Sequence, residues 1–103
     1  MFEASVNIDK ATIKPLLMNV LSIFDDDFGD SHVSQLISFY EAVPENEKDM
    51  ISLVVTYNGQ KQELVFVVKD DCSSKSIYFF SDEEAFTNNI SCVFREFFNE
   101  IGA

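Results

Sequence analysis

Three observations in the sequence predict an α+β fold, with helices packed on an antiparallel sheet. Apolar residues recur at every third or fourth position in the first part of the chain, which indicates amphipathic helices. Residues 50–57 and 60–68 are rich in β-branched and aromatic types and flank Asn58-Gly59, which favours a two-residue hairpin turn. A further helical period ends the chain. We therefore expect a single domain, 1–103, with a three- to four-stranded antiparallel sheet packed by an N-terminal helical hairpin and a C-terminal helix.

The first elements are a short strand and a helix. Residues 2–8 alternate between apolar and polar side chains, the pattern of a strand with one buried face. The helix begins after Thr12 as N-cap, because Pro15 then lies in the first turn, where its missing N–H costs no hydrogen bond. The apolar positions of this helix are Ile13, Leu16, Leu17, Val20, Leu21 and Phe24.

A second helix is predicted to begin at Ser31. Its apolar positions continue the helical period until Pro44 prevents further growth. Residues 25–30 connect it to the first helix, and the two helices form the N-terminal helical hairpin.

The Asn58-Gly59 turn fixes the register of the two strands that it joins. One face of this hairpin is the more apolar far from the turn, and we expect that face to meet the helices. A third strand is predicted over residues 76–80. The cross-strand pairs on the face toward the helices are Tyr57–Gln60, Val55–Gln62, Leu53–Leu64 and Ile51–Phe66. Those on the opposite face are Thr56–Lys61, Val54–Glu63, Ser52–Val65 and Met50–Val67.

The C-terminal helix has the clearest start signal in the chain. Ser81 and Glu84 are spaced as in a capping box, in which two side chains satisfy free N–H groups of the first helical turn. Gly102 is expected to end the helix. Its apolar stripe consists of Phe86, Ile90, Val93, Phe97 and Ile101, broadened by Phe94 and Phe98.

The balance of charge excludes several classes of partner. Asp and Glu number 18 against 7 Lys and Arg, a formal net charge of −11, so the surface repels nucleic acid and anionic membranes and attracts cationic proteins. No apolar run is long enough to span a bilayer, and the N-terminal residues lack the basic and apolar regions of a signal peptide. We expect a cytoplasmic protein in which Cys72 and Cys92 are reduced thiols.

No residue pattern specifies catalysis or a cofactor. Nucleophilic catalysis needs a base beside the nucleophile, and His32 is the only histidine. It lies in the first turn of the predicted second helix, where the positive end of the helix dipole disfavours an imidazolium. Residues 25–30 are rich in aspartate, as calcium-binding loops are, but their glycine is at the wrong position and the glutamate is missing. The 3 glycines are dispersed, so they form no phosphate-binding loop. We expect no enzymatic activity, no cofactor and no metal site.

The acids concentrate at one end of the expected fold. The alternation of elements places residues 25–30, the hairpin turn and the start of the last helix together, with Lys61 as the one nearby base. The opposite end, formed by residues 44–49 and 69–75, mixes acids with lysines. The candidate partner-binding residues at the first end are Asp25, Asp26, Asp27, Phe28, Asp30, Asp82, Glu83 and Glu84.

Local structure accounts for some of these acids. Those next to the start of a helix are stabilised by its dipole, but Asp25, Asp26 and Asp27 follow the end of the first helix, where each acid costs roughly 0.3–1 kcal/mol. Charges that disfavour the local structure without an evident compensating contact indicate a binding function. Solvation of the loop is the alternative reason for them. On the binding interpretation, asparagine at all three positions leaves the fold equally or more stable. Phe28 is either a hydrophobic anchor within the charged loop or a part of the core.

In size, acidity and lack of catalytic motifs, the chain resembles bacterial toxin-immunity proteins, including those of contact-dependent growth inhibition systems. The resemblance spans the whole chain and is carried by acidic runs such as 25–27 and 82–84 rather than by a motif. It implies an inhibitor that neutralises a cationic toxin, above all a nuclease, by covering its active site. The partner would then be a basic protein, and the chain a monomer rather than an obligate dimer.

Two other interpretations stay open. A small acidic secretion chaperone would bind an effector segment and would use the apolar second face of the sheet to form a dimer. Such chaperones usually begin with a helix, whereas this chain begins with a strand pattern. A nucleic-acid mimic or regulatory module from a phage or mobile element would also act through its acidity.

Overall fold

Four strands and three helices form the regular structure of the described residues. The computed structural model describes the backbone of residues 1–72 and 74–102 and the side chains of residues 1–72 and 74–99. The order of elements confirms the predicted α+β fold. The strands are β1 (Phe2–Asn7), β2 (Lys48–Tyr57), β3 (Gln60–Asp70) and β4 (Lys75–Ser81), and the helices are α1 (Ile13–Leu21), α2 (Asp30–Ala42) and α3 (Glu84–Gly102).

The strands form one antiparallel sheet in the order β1-β4-β3-β2. The β2–β3 register is the predicted one at every pair from Tyr57–Gln60 to Met50–Val67. Asn58 and Gly59 both have positive φ, 51° and 78°, as the twist of a two-residue hairpin requires. Within the predicted strand of residues 2–8, Phe2–Asn7 form β1, which pairs with β4. β1 and β2 are therefore the two edge strands of the sheet.

The helices cover the sheet face that the register predicts to be apolar. Phe66 and Phe79 lie at its centre, with ring centroids 5.0 Å apart. Phe39 of α2 and Phe94 of α3 pack against these two rings at 5.9 and 6.0 Å. The largest fully buried strand side chains on this face are Val55, Leu64, Phe66, Val68, Ile77 and Phe79.

The first two helices begin close to the predicted positions. Thr12 is the N-cap of α1, although its hydroxyl donates to Asp9 Oδ1 at 2.9 Å and makes no bond to the helix. α1 ends at Leu21, so Phe24 lies in the turn that follows rather than in the helix. α2 begins at Asp30, one residue before the predicted start.

The prediction that Ser81 caps the C-terminal helix is wrong, because the helix begins at Glu84. Ser81 is held at the end of β4 by pairing with Phe2, and its Oγ accepts a hydrogen bond from Glu83 N at 3.1 Å. The first helical hydrogen bond runs from Thr87 N to Glu83 O, so α3 begins later than predicted, at Glu84. Of the predicted stripe, Phe86, Ile90, Phe94 and Phe97 are buried and Val93 and Phe98 are half-buried, while the side chain of Ile101 lies outside the described residues.

Tyr40, near the end of α2, joins the helix to the sheet. Its hydroxyl donates to Ile8 O at 2.7 Å, and Lys75 Nζ donates to Tyr40 O at 2.7 Å while lying 4.8 Å from the ring centroid. Burial, reinforced by nearby carboxylates such as that of Asp9, raises the pKa of Tyr40. This direction favours the protonated phenol, the form that donates to Ile8 O.

Asp70 joins the two loops at the end of the sheet opposite the hairpin turn. Its carboxylate accepts hydrogen bonds from Cys72 N at 2.8 Å and from Asn46 N at 3.2 Å, and both donors have positive φ. These bonds, chiefly the one from Cys72, lower the pKa of Asp70 from its ordinary value of 3.8.

Asp70→Asn is expected to destabilise the domain in a pH-dependent way. A carboxyl whose pKa is lowered by folding contributes stability above its unfolded pKa and loses it as the pH falls through the folded pKa. The difference in unfolding free energy from the wild type should therefore be full near about pH 6 and shrink below 3.8. Urea unfolding at several pH values measures it, with the neighbouring exposed Asp71→Asn as control. A difference that does not change with pH contradicts this role.

Candidate functional site

One end of the molecule gathers the loop of residues 25–30, the hairpin turn and the start of α3. Aromatic rings join them: the Phe86 ring centroid lies 5.5 Å from that of Phe24 and 4.9 Å from that of Tyr57. Phe86 and Phe24 are buried, so this junction belongs to the core. The acids that the sequence places at this end are thus brought together. We call them the acidic pole: Asp25, Asp26, Asp27, Asp30, Asp82, Glu83 and Glu84.

Asp25 and Asp26 are hydrogen-bonded to the hairpin. Asp26 Oδ2 accepts from Thr56 N, and Asp26 Oδ1 accepts from the Thr56 hydroxyl at 3.2 Å. Asp25 Oδ2 accepts from Gly59 N at 2.8 Å, while Asp25 N donates to Thr56 O at 2.7 Å. The loop thereby covers the free edge of β2 next to the turn and supplies partners for backbone groups there.

These contacts correct the expectation that Asp25, Asp26 and Asp27 have no structural role. That expectation is wrong for the first two residues, which anchor the loop to β2. The cost assigned to the helix dipole is also smaller than expected, because α1 ends at Leu21 and the effect fades beyond the last turn. Asp27 fits the expectation: it is exposed, and its carboxylate takes part in none of the hydrogen bonds among the described residues.

Phe28 lies half in the core and half at the surface. Its ring meets Phe24 and His32 edge-on, with centroid distances of 5.9 and 5.4 Å. A groove of about 240 Å³ runs beside it, bordered by apolar residues of α1 and by Asp26, Asp27 and Asp30. Part of the ring therefore stabilises the loop, and the rest borders a groove rimmed by carboxylates.

The other acids of the pole surround the starts of two helices. Asp30 is the first residue of α2, Glu84 is the first of α3, and Asp82 and Glu83 precede it. All four side chains are exposed. The two ion pairs among the described residues, Lys10–Glu41 and Lys69–Asp71, lie elsewhere. The charge of the pole is consequently left for helix dipoles, water or a partner to compensate.

Comparisons with known proteins give no relative for this chain: no protein-family model, curated protein or solved structure matches it. Within the part of the chain that the structure describes, none of the helices combines the length and the apolar character needed to cross a bilayer. The same residues contain no group of three or more His, Cys, Asp or Glu side chains placed to hold a metal ion. The chemistry of the pole is that of carboxylates beside one aromatic ring.

The sheet face away from the helices is a second candidate surface, which we call the open face. Its apolar members on β2 and β3 were predicted from the sequence, whereas those on β4 were not. The signal was present, because Ile77 and Phe79 point to the core and the residues between and after them must then point outward. The apolar residues that the register places on the open face are Met50, Val54, Val65, Val67, Tyr78 and Phe80.

Proposed function

We propose that this chain is a protein-binding inhibitor that covers a cationic surface of its partner, an immunity protein for a basic toxin domain. The observation that carries the proposal is the acidic pole, where the acids of residues 25–30 and 82–84 lie at one end of the molecule. The half-buried ring of Phe28 borders a groove there with Asp26, Asp27 and Asp30. A nuclease fits best as the toxin, because its phosphate-binding surface is basic and carboxylates can take the place of phosphates there.

The charge of the chain supports fast binding to such a partner. A net charge of −11 attracts a cationic protein over long distances, and local concentration of acids orients the encounter. Phe28 adds apolar area next to the groove, in the arrangement of an aromatic contact surrounded by charge that binding hot spots often have.

The carboxylates of the pole differ in how freely they can face a partner. Asp25 and Asp26 are fixed by hydrogen bonds to the hairpin, whereas Asp27, Glu83 and Glu84 are exposed. In our proposal the exposed acids contact the partner, and the fixed pair holds the loop in a binding-ready shape. Such preorganisation reduces the entropy lost on association.

The proposal is tested by co-expression with the C-terminal domain of a toxin encoded by a neighbouring gene. The wild-type chain is expected to restore growth and to co-purify with the toxin domain. If that domain arrests growth by itself and the chain neither restores growth nor binds it, the proposal is wrong.

Neutralising exposed acids of the pole is expected to slow association with the toxin domain. The combination Asp27→Asn, Glu83→Gln and Glu84→Gln should lower the association rate at least about tenfold at low salt. The matched control, Glu41→Gln, Glu47→Gln and Asp71→Asn, removes equal charge from exposed acids elsewhere and should have a much smaller effect. Stopped-flow binding at low and high salt measures both rates. Equal losses in the two variants would mean that net charge, rather than the pole, determines binding.

A secretion chaperone is the second candidate, because the open face exposes apolar side chains. Met50 and Val54 are 62% and 68% exposed, and such a chaperone would use this face to form the dimer that binds an effector segment. Such chaperones usually interleave helices and strands in a different order from α1-α2-β2-β3-β4-α3, which places this function second. Co-purification of an effector segment that depends on the open face and not on the acidic pole would favour it.

A further inference from the structure

We infer that two copies of this chain associate through their open faces, with the two sheets stacked about a two-fold axis. The expectation of a monomer followed from the resemblance to immunity proteins and not from the arrangement of residues on this face. The open face is separate from the acidic pole, so this inference is independent of the proposed inhibitor function.

The apolar centre of the open face consists of two neighbouring cross-strand rows. All of their residues except Ser52 border a depression of about 600 Å³. The rings of Tyr78 and Phe80 lie parallel within it, 6.0 Å apart. An apolar surface concentrated in this way favours burial against another surface. The first row is Met50, Val67 and Tyr78, and the second is Ser52, Val65 and Phe80.

The open face is nearly neutral in a chain whose net charge is −11. Acids and bases balance on it, counting one acid that borders the depression at the edge of β2. The charged residues are Lys48, Lys61 and Lys69, with Glu3, Glu63 and the bordering Asp49. The excess negative charge therefore lies on the remaining surfaces. A second copy meets less repulsion at the open face than at the acidic pole, whereas a cationic partner is drawn away from it.

The register makes the open face self-complementary along β3. A two-fold axis that crosses the strands above Phe66 places Val65 of one copy over Val67 of the other. The same axis places Glu63 over Lys69 of the other copy, once on each side of the apolar centre. A symmetric interface needs such a match of opposite charges, because each residue meets a different position of the same surface.

The same axis matches the apolar residues of β4. Phe80 pairs with Val65 and Tyr78 with Val67 in the sheet. An axis that places Val65 over Val67 therefore also places Phe80 of one copy over Tyr78 of the other. Stacked sheets lie about 10 Å apart with interdigitated side chains, so these four rings would form the centre of the interface.

The size of the face suits a reversible dimer. The four strands have 6 to 11 residues each and give a footprint of roughly 400–700 Å² on each copy. Stable interfaces bury about 600–1,000 Å² on each partner. The whole face must therefore take part, and the dimer should dissociate on dilution.

Sedimentation of the full chain between about 1 and 500 µM tests the inference. We expect a concentration-dependent dimer that strengthens as salt rises, because salt screens the repulsion between two copies of charge −11. Binding to a cationic toxin weakens with salt, so failure of the dimer and failure of the inhibitor function are distinguishable. A chain that stays monomeric at all concentrations and salt levels overturns the inference, as does a monomer that instead binds an apolar segment of another protein at this face.

Substitutions test the position of the interface. Val67→Lys should weaken the dimer at least about tenfold. Met18→Lys, at a 46% exposed position of α1, should leave it unchanged. Because Val67 is half-buried, a second test uses exposed positions: Lys69→Glu and Glu63→Lys should each weaken the dimer, and together they should restore it. A dimer that resists Val67→Lys, or a double charge reversal that does not restore association, contradicts the proposed interface.

Discussion

Phe86→Ala is expected to destabilise the domain by roughly 3–5 kcal/mol, the usual loss when a buried phenylalanine leaves a cavity. Phe86 is 1% exposed, and its ring centroid lies 4.9 Å from that of Tyr57 and 5.5 Å from that of Phe24. The substitution therefore removes contacts of α3 with β2 and with the turn after α1 at the same time. The acidic pole should lose its fixed shape together with this stability.

Chemical denaturation followed by circular dichroism measures the loss for Phe86→Ala. Phe2→Ala is the matched control, because the same ring is 41% exposed there and should contribute only about 1 kcal/mol. Phe86→Leu, which keeps apolar volume but removes the ring, should fall between the two. Equal stability of Phe86→Ala and Phe2→Ala would show that Phe86 does not join these elements.

The parts of the fold that depend on neighbouring residues could be predicted from the sequence. The Asn58-Gly59 turn determines every pair of the β2–β3 hairpin, because turn geometry leaves no freedom of register. The helices were found from the period of their apolar residues. The start of α3 was predicted at the wrong residue, because Ser81 carries a capping signal while strand pairing with Phe2 holds it in β4.

Contacts between distant parts of the chain could not be predicted in this way. The alternation in residues 2–8 indicates a strand, but nothing in it specifies β4 as the partner of β1. The role of Asp26 is a similar case. A carboxylate after a helix looks like an unfavourable local charge until the fold brings the Thr56 N–H within reach. The acids at the pole could be listed from the sequence, but their division into anchored and exposed members could not.

Asp26→Ala is expected to destabilise the domain by about 1–3 kcal/mol, the opposite of what the charge pattern alone suggested. The substitution leaves Thr56 N–H and the Thr56 hydroxyl without their acceptor at a part-buried position on the edge of β2. Removing one partner of such a bond costs more than the bond contributes, because the remaining group is poorly solvated. Asp27→Ala, at the exposed end of the same triplet, should change stability by less than about 0.5 kcal/mol.

Thermal and urea unfolding of Asp26→Ala, Asp26→Asn and Asp27→Ala separates anchoring from charge. Asp26→Asn removes the charge but keeps an oxygen that can accept from Thr56 N, so it should lose less stability than Asp26→Ala. Toxin binding is expected to depend on Asp27 instead: its substitutions should slow association while the fold stays intact. If Asp26→Ala and Asp27→Ala are equally harmless to stability, the carboxylate of Asp26 does not anchor the loop.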